Sequence, residues 1–536
     1  MNARFTPFQA ASYPAEPAGL PVGWWRRLGL MLVAFGLLRM GLVLVSQASL
    51  HVDEAQYWDW SRSLQWGYYS KPPVVAVLIR ASTTLFGDSE LGLRLLAIWC
   101  WPLTAGVLAV LGVSLARAGG ATPGQAGRVG TLTALVWLCS VLAALLGQVV
   151  TTDTPLLLCW ALALWALWQA VALRRQGGWA LLALALGVGL LDKYTIAAWL
   201  PGALLWVLWQ GRPRDLLGLA AAAAGALLLL SPNLLWNAAQ GWPTLRHTAD
   251  ITVRAVARGN EAELPLRVLE YALGQVISFG PLILVGAAVW ALGAVWARRR
   301  NRTVPTACPA LPRAARTLLW CTSLPLLGAG LLQAAHGHAE LNWVAPVHLA
   351  LALGLAHALV RGGRERAARA LVLVQLVLLT LLSAAPAWVA PSQPGLAAAI
   401  DPWRRQRGWD EALARLAPAL RAQPGGVLVS DSRAALTQLA YHLRGQGVQR
   451  MAWAPGPVAD NHYELTCPWH PGSHAPGPVW VLTEGAPSPE LASALGGLEP
   501  VAQAPVLRLG REFSRLYLSR APQAQDSTAS PPKTCP

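Results

Sequence analysis

The sequence predicts a polytopic α-helical membrane protein of about eleven crossings, followed by a small α/β domain outside the membrane. Three observations predict it. Of 536 residues, 54% are hydrophobic and 13% charged, against roughly 25% charged in soluble proteins. Apolar runs close to the ~20 residues that span a bilayer recur along most of the chain. After Trp388 the composition becomes that of a soluble domain. The 27 tryptophans fit an interfacial belt, where an amphipathic ring is most at home.

Residues 1–23 are polar and Pro-rich and read as a cytoplasmic tail; the apolar run after Arg26-Arg27 is too long for a cleavable signal core. Crossings are expected at 28–46, 91–116, 129–147 and 155–173. The run 178–209 is too long for one crossing, and Asp192-Lys193 reads as the tip of a hairpin between two short spans. Further crossings are expected at 216–233, in a run ending at Arg298-Arg299-Arg300, and at 317–335, 343–360 and 370–388, within a membrane domain of 24–390.

Arg26/Arg27, Arg117/Arg128, Arg174/Arg175, Arg212/Arg214, the cluster Arg298 to Arg316 and Arg361 to Arg369 all fall on one face. The positive-inside rule makes that face cytoplasmic and accounts for the net charge of +16 without a nucleic-acid partner. The other face receives the loop 47–90, the Asp153 break, the Asp192-Lys193 tip, 236–264 and His336 to Glu340, so the mixed-charge segments gather outside. Within 395–520, residues 427–431, 479–483 and 513–519 read as strands and 432–443 as a helix, an extracytoplasmic α/β domain before a disordered tail, 521–536. Cys100, Cys139, Cys159 and Cys321 lie in apolar runs and read as small core residues. Cys467 and Cys535 are free to pair outside the membrane, and their spacing argues neither way.

The stretch His51 to Pro73, HVDEAQYWDWSRSLQWGYYSKPP, carries the most chemistry. Asp53-Glu54 opens a short helix whose dipole favours carboxylates. Pro72-Pro73 hold Lys71 outside that helix in an extended approach to the next. A carboxylate pair followed by a fixed cation suits departure of a phosphate under attack by a hydroxyl or amine. The plain alternative is an amphipathic loop with a solvated charged face.

Asp153, in Thr151-Thr152-Asp153-Thr154-Pro155, is either a second carboxylate of that site or a helix cap. Asp192-Lys193 either neutralises itself or offers Lys193 to a lipid phosphate. Segment 231–250 carries Asn233, Asn237, Arg246, His247 and Asp250, with Arg254 beyond, and has the composition of a wet loop as well as of a binding surface. His336, His338 and Glu340 could suggest a metal, but interfacial hydrogen bonding accounts for them better. Arg94 either pairs with the loop carboxylates or snorkels outward.

Six stretches in order, DEAQYWDWSRSLQWGYYSKPP, TTDTPLLL, GLLDKYT, SPNLLWNAAQGW, LNWVAP and NHYELT, resemble the bacterial dolichyl-phosphate-mannose–protein mannosyltransferase-like superfamily, which includes the aminoarabinose transferases of lipid A. The resemblance implies a type C glycosyltransferase fold, an extracytoplasmic active site under the first large loop, and a sugar donor carried on undecaprenyl phosphate. It implies Asp53 as the catalytic acid, Glu54 as its motif neighbour, Asp153 as the second-loop acid and Lys71 as the grip on the donor phosphate. It allows a divalent cation, while the residues themselves require no cofactor. Ser70 stands where aminoarabinose transferases show Glu, Lys71 where closer relatives often show His, and Thr152 where Pro is usual.

The expected reaction is transfer with inversion to an extracytoplasmic lipid A, glycan or protein at the inner membrane. In it Asp53 orients or deprotonates the acceptor, Lys71, Lys193 or Arg254 stabilise the departing phosphate, and Trp66, Tyr68 and Tyr69, with Asn237 and His247, contact substrate. The alternative from another class is a secondary transporter, which would place its ionisable groups near the midplane of broken helices.

Overall fold

The structure, a computed structural model, describes residues 19–257, 264–300, 306–337, 339–421, 426–470, 473, 477–522 and 535. The chain divides into two compact units. One comprises Met1–Gly41, Leu96–Trp242 and Arg246–Thr380; the other comprises Leu42–Leu95, Pro243–Leu245 and Leu381–Pro536.

The first unit is helical. Among the described residues six helices are long and apolar enough to cross a bilayer: Trp24–Ser46, Glu90–Ala118, Asp153–Ala172, Pro213–Ala239, Arg313–His336 and Glu365–Val389. Leu264–Phe279 and Pro281–Ala297, bent by 100° at the break, are apolar enough only as a pair and form a broken span or a re-entrant loop. The other expected crossings are helices that stop early. Pro123–Leu138, Gly177–Leu190, Trp199–Gln210 and Val347–Arg361 have 12 to 16 residues, so at ~1.5 Å per residue each falls short of a ~30 Å hydrocarbon core.

The breaks have identifiable partners. Gly280 turns the bent pair at φ +145°, and a Cβ there would lie 2.4 Å from Gln375 Nε2. Gln375 is buried. It accepts from the amide of Leu282 (3.3 Å) and donates to the carbonyl of Cys139 (2.7 Å), which closes the Pro123–Leu138 helix. One side chain thus satisfies backbone freed at two helix ends, as an apolar interior requires. The core here is rich in tryptophan. Trp137, Trp160, Trp168, Trp199 and Trp206 are under 2% exposed, so many rings serve as packing rather than as the expected belt.

The second unit holds a six-stranded mixed sheet: β1 (Val427–Ser430), β2 (Gln449–Trp453), β3 (Pro468–Trp469), β4 (Val479–Glu484), β5 (Glu499–Arg508) and β6 (Arg511–Arg520), in the order β3-β2-β1-β4-β6-β5. β1, β2, β3 and β4 pair in parallel, and β6 runs antiparallel to β4 and β5. Leu509 and Gly510, both at positive φ, make the two-residue turn that a β5–β6 hairpin favours. The expected strands correspond to β1, β4 and β6, and the expected helix to Arg433–His442. Cys467 and Cys535 form a disulfide.

The first loop belongs to this unit. Its Val52–Arg62 helix packs on the Arg433–His442 helix. Gln438 donates to the carbonyl of Leu50 (3.0 Å), Tyr441 to that of Asp88 (3.1 Å), and Arg407 to that of Ser46 (2.8 Å).

In the first unit, Gly202 of the Trp199–Gln210 helix faces the backbone of Cys321, where a Cβ would stand 2.0 Å from the carbonyl oxygen. Gly202→Ala is therefore expected to destabilise the protein by about 1–3 kcal/mol, read as a lowered unfolding midpoint in detergent.

Candidate functional site

The Val52–Arg62 helix begins with a capping box. His51 Nδ1 accepts from the amide of Asp53 (3.2 Å), and Glu54 Oε2 accepts from the amide of His51 (3.0 Å). The two carboxylates then take opposite environments. Glu54 is 1% exposed and meets Arg94, also 1% exposed, through two bonds of 2.8 and 2.7 Å. Arg94 further donates to the carbonyls of Ala48 (3.2 Å) and Ser49 (2.7 Å) and to Gln406 (3.3 Å). Arg94 therefore pairs inward instead of snorkelling, and Glu54 holds the helix start from below.

Asp53 is 46% exposed. Arg433 Nη1 donates to its Oδ1 (3.1 Å) and also to Gln56 Oε1. Partial burial works to raise the Asp53 carboxyl, but Arg433, His51 and Lys71 together hold it below the usual carboxylate range. The group stands ionised and reachable, with cations on more than one side.

Nearly two turns on, Asp59 is buried and takes two 3.1 Å bonds from Arg450 and one of 2.8 Å from Tyr463. Of the aromatics expected to contact substrate, Trp66 is 57% exposed and Tyr69 half-buried. Tyr68 differs: it is 0% exposed, lies flat on Trp60 at 4.4 Å, and donates to the Trp60 carbonyl (3.0 Å). Its ring is taken up in packing, and burial pushes its hydroxyl pKa up to about 12. Beneath these rings sits His462, edge-on to Trp60 and Tyr68, 5% exposed, with Nδ1 meeting no hydrogen-bond partner among the described residues. Burial pushes its pKa down to about 4.

The other expected site residues lie in the helical unit. Asp153 is the first residue of its helix, and both its carboxylate oxygens are taken by side chains from elsewhere in the unit. It accepts from Lys193 Nζ (2.8 Å) and from Asn342 (2.6 Å), and is 2% exposed. Lys193 thus pairs across helices rather than with neighbouring Asp192. Tyr194 donates to Asn233 (2.5 Å), and Asn237 donates to the Tyr194 hydroxyl (3.3 Å). His247 is half-buried on the Pro243–Ala257 helix. The side chain of Arg254 and residue His338 lie outside the described residues. Among the described residues no group of three or more His, Cys, Asp or Glu side chains could hold a metal ion, so the allowed divalent cation finds no donor set there.

Sequence reasoning missed Arg433, Arg450 and Gln56. Gln56 is one turn from Asp53 and could have been found by spacing. The two arginines sit almost 400 positions away, and no local pattern signals them.

Several known proteins are similar to this chain. A family model described as dolichyl-phosphate-mannose-protein mannosyltransferase matches residues 70–236. The lipid A galacturonosyltransferase RgtD of Rhizobium johnstonii is 31% identical over 471 residues, 86% of this chain and 91% of the relative. An undecaprenyl phosphate-alpha-4-amino-4-deoxy-L-arabinose arabinosyl transferase of Pseudomonas aeruginosa is 32% identical over 220 residues, 38% of each chain. The fold is similar to that of ArnT from Cupriavidus metallidurans, a crystal structure in the apo state, with a TM-score of 0.56 at 16% identity over 92% of this chain and 98% of that one.

Two outcomes follow from the buried groups. Arg94→Met strands the Glu54 carboxylate and is expected to cost about 3–5 kcal/mol, while Glu54→Leu with Arg94→Met recovers part of it; unfolding in detergent measures both. The depressed pKa of His462 means the unfolded chain binds its proton more readily. Its contribution is whole above about pH 6.5 and lost as pH falls towards about 4, up to roughly 3 kcal/mol. His462→Phe should flatten the pH dependence of the unfolding midpoint across that window.

Proposed function

The chain belongs to the dolichyl-phosphate-mannose-protein mannosyltransferase family, and from that membership we infer that it moves a uronic acid from a polyprenyl phosphate onto lipid A at the outer face of the cell membrane. It is a multi-pass membrane glycosyltransferase that uses a polyprenyl-phosphate sugar donor. Membership in a transferase family sets the transporter alternative aside. The sugar and acceptor follow RgtD, the relative that this chain covers for 91% of its length. Ser70, in place of the Glu of aminoarabinose transferases, removes a carboxylate that would suit an amino sugar and repel a uronate.

The observation that carries the reading is Asp53: a half-exposed, ionised carboxylate on a capped helix, flanked by Arg433 and within the field of Lys71. Its depressed pKa keeps it ionised throughout the physiological range. In that state it accepts a hydrogen bond from the acceptor hydroxyl and aims the oxygen at the anomeric carbon. The new carbon–oxygen bond forms as the bond from anomeric carbon to phosphate oxygen breaks. The electron pair leaves with the polyprenyl phosphate, the acceptor proton passes to Asp53, and the configuration inverts. Lys71 meets the charge that develops on the leaving phosphate.

Glu54 has a supporting part, fixing the helix through Arg94. Asp153 and Lys193 form a second acid–cation pair within the helical unit, with Asn342 steadying the carboxylate. The outward orientation rests on the arginine-rich turns collecting on one face and on a disulfide in the C-terminal domain, which suits an oxidising compartment.

Asp53→Asn keeps the shape and removes the charge. It is expected to lower transfer by about 10²–10⁴-fold while polyprenyl-phosphate-sugar binding persists, measured with purified enzyme, donor and lipid A. Transfer near the wild-type rate would overturn the assignment.

A further inference from the structure

Arg433 is held by one end only. Its Nη1 bonds Asp53 and Gln56, whereas Nε and Nη2 have no hydrogen-bond partner among the described residues. The side chain is 41% exposed. It opens the Arg433–His442 helix, which follows β1 directly, and Ser432 caps that helix by accepting from the amide of Ala435 (3.2 Å). The base of the side chain is therefore fixed by a capped helix and its tip by two acceptors. A guanidinium fixed along one edge presents its remaining nitrogens as a planar fork, the shape that meets a carboxylate or phosphate through two parallel bonds.

The other two acid–arginine pairs of this helix are closed. Glu54 is matched by Arg94 and Asp59 by Arg450, both pairs buried. Asp53 differs, being half-exposed and bonded by a single nitrogen of Arg433. The open edge of that guanidinium lies where the reacting sugar must sit if Asp53 aims the acceptor. Lys71 serves the leaving phosphate in that reading, so a second anionic group of the substrate is left for Arg433.

We propose that Arg433, supplied by the C-terminal α/β domain, reads the substrate: its free Nε–Nη2 edge binds the carboxylate of the transferred uronic acid while Nη1 keeps Asp53 in place. The proposal rests on the reading of Asp53 and of the sugar given above. A carboxylate on the sugar ring and a phosphate on the lipid acceptor offer the same fork-shaped pair of oxygens, and the structure favours the sugar because the arginine is tied to the carboxylate that must lie at the anomeric centre.

The test uses full-length enzyme in detergent, polyprenyl-phosphate galacturonic acid, the same donor reduced to neutral galactose, and lipid A with or without its phosphates. The readout is the ratio of kcat/KM for uronate donor to neutral donor within one preparation, which a partly misfolded variant does not alter. Arg433→Gln is expected to lower that ratio about 10- to 100-fold, with Arg433→Lys recovering only part because an ammonium cannot form the fork. An unchanged ratio, with both donors slowed alike, would make Arg433 a holder of Asp53 and overturn the proposal. A loss that disappears on dephosphorylated lipid A would overturn it in favour of the acceptor phosphate. If the wild-type enzyme itself prefers the neutral donor, the uronic-acid reading fails together with this proposal, whereas the Asp53→Asn result on the preferred donor still decides the catalytic assignment.

Discussion

The ion pair between Arg94 and Glu54 is the constraint on which the site depends. Two charges at 1% exposure are costly to bury, and they are tolerated because five donor–acceptor contacts surround the guanidinium. Those contacts join the start of the Glu90–Ala118 helix, the turn before the Val52–Arg62 helix and the segment at Gln406. Glu54 is locked from beneath, so Asp53, the next residue, is left to face outward on a helix end that cannot swing. One residue of the acidic pair is buried to immobilise it, and its neighbour is half-exposed.

The C-terminal domain shares in that design. Arg433 and Arg450 reach two carboxylates of the same helix, Asp53 and Asp59, one exposed and one buried. The buried contact, joined by Tyr463, fixes register; the exposed one tunes charge. Tyr68 and Trp60, stacked over His462, close the apolar side of the helix. The helix of the first loop that carries Asp53 is thus framed by residues that a reading of the loop alone would never include.

Much of this was legible in the sequence, for local reasons. Asp53-Glu54 as a helix start, the Asp192-Lys193 tip and the strands Val427–Ser430 and Val479–Glu484 all follow from spacing and turn chemistry, whereas the expected extended approach at Lys71 is a bend closed by its carbonyl on the Tyr68 amide. Helix lengths were less legible. Periodicity does not show that Gln375 satisfies backbone at Cys139 and Leu282, so breaks there were read as continuous spans. β5 escaped because Pro500 and Pro505 weaken its strand pattern, as suits the edge it occupies. The Tyr68 ring reads as a substrate contact from the sequence because nothing local reveals that Trp60 covers it. The partners of Asp53 and Asp59 were out of reach altogether, being joined only by tertiary folding.

The separation of 380 positions between Asp53 and Arg433 has a consequence for biogenesis. A ribosome adding ~5–20 residues per second needs roughly 20–80 s to pass from one to the other. During that interval Glu54 can already meet Arg94, while Asp53 and Asp59 still lack their arginines. The helix that carries Asp53 therefore reaches its folded charge balance only late in synthesis, after the C-terminal domain has been made.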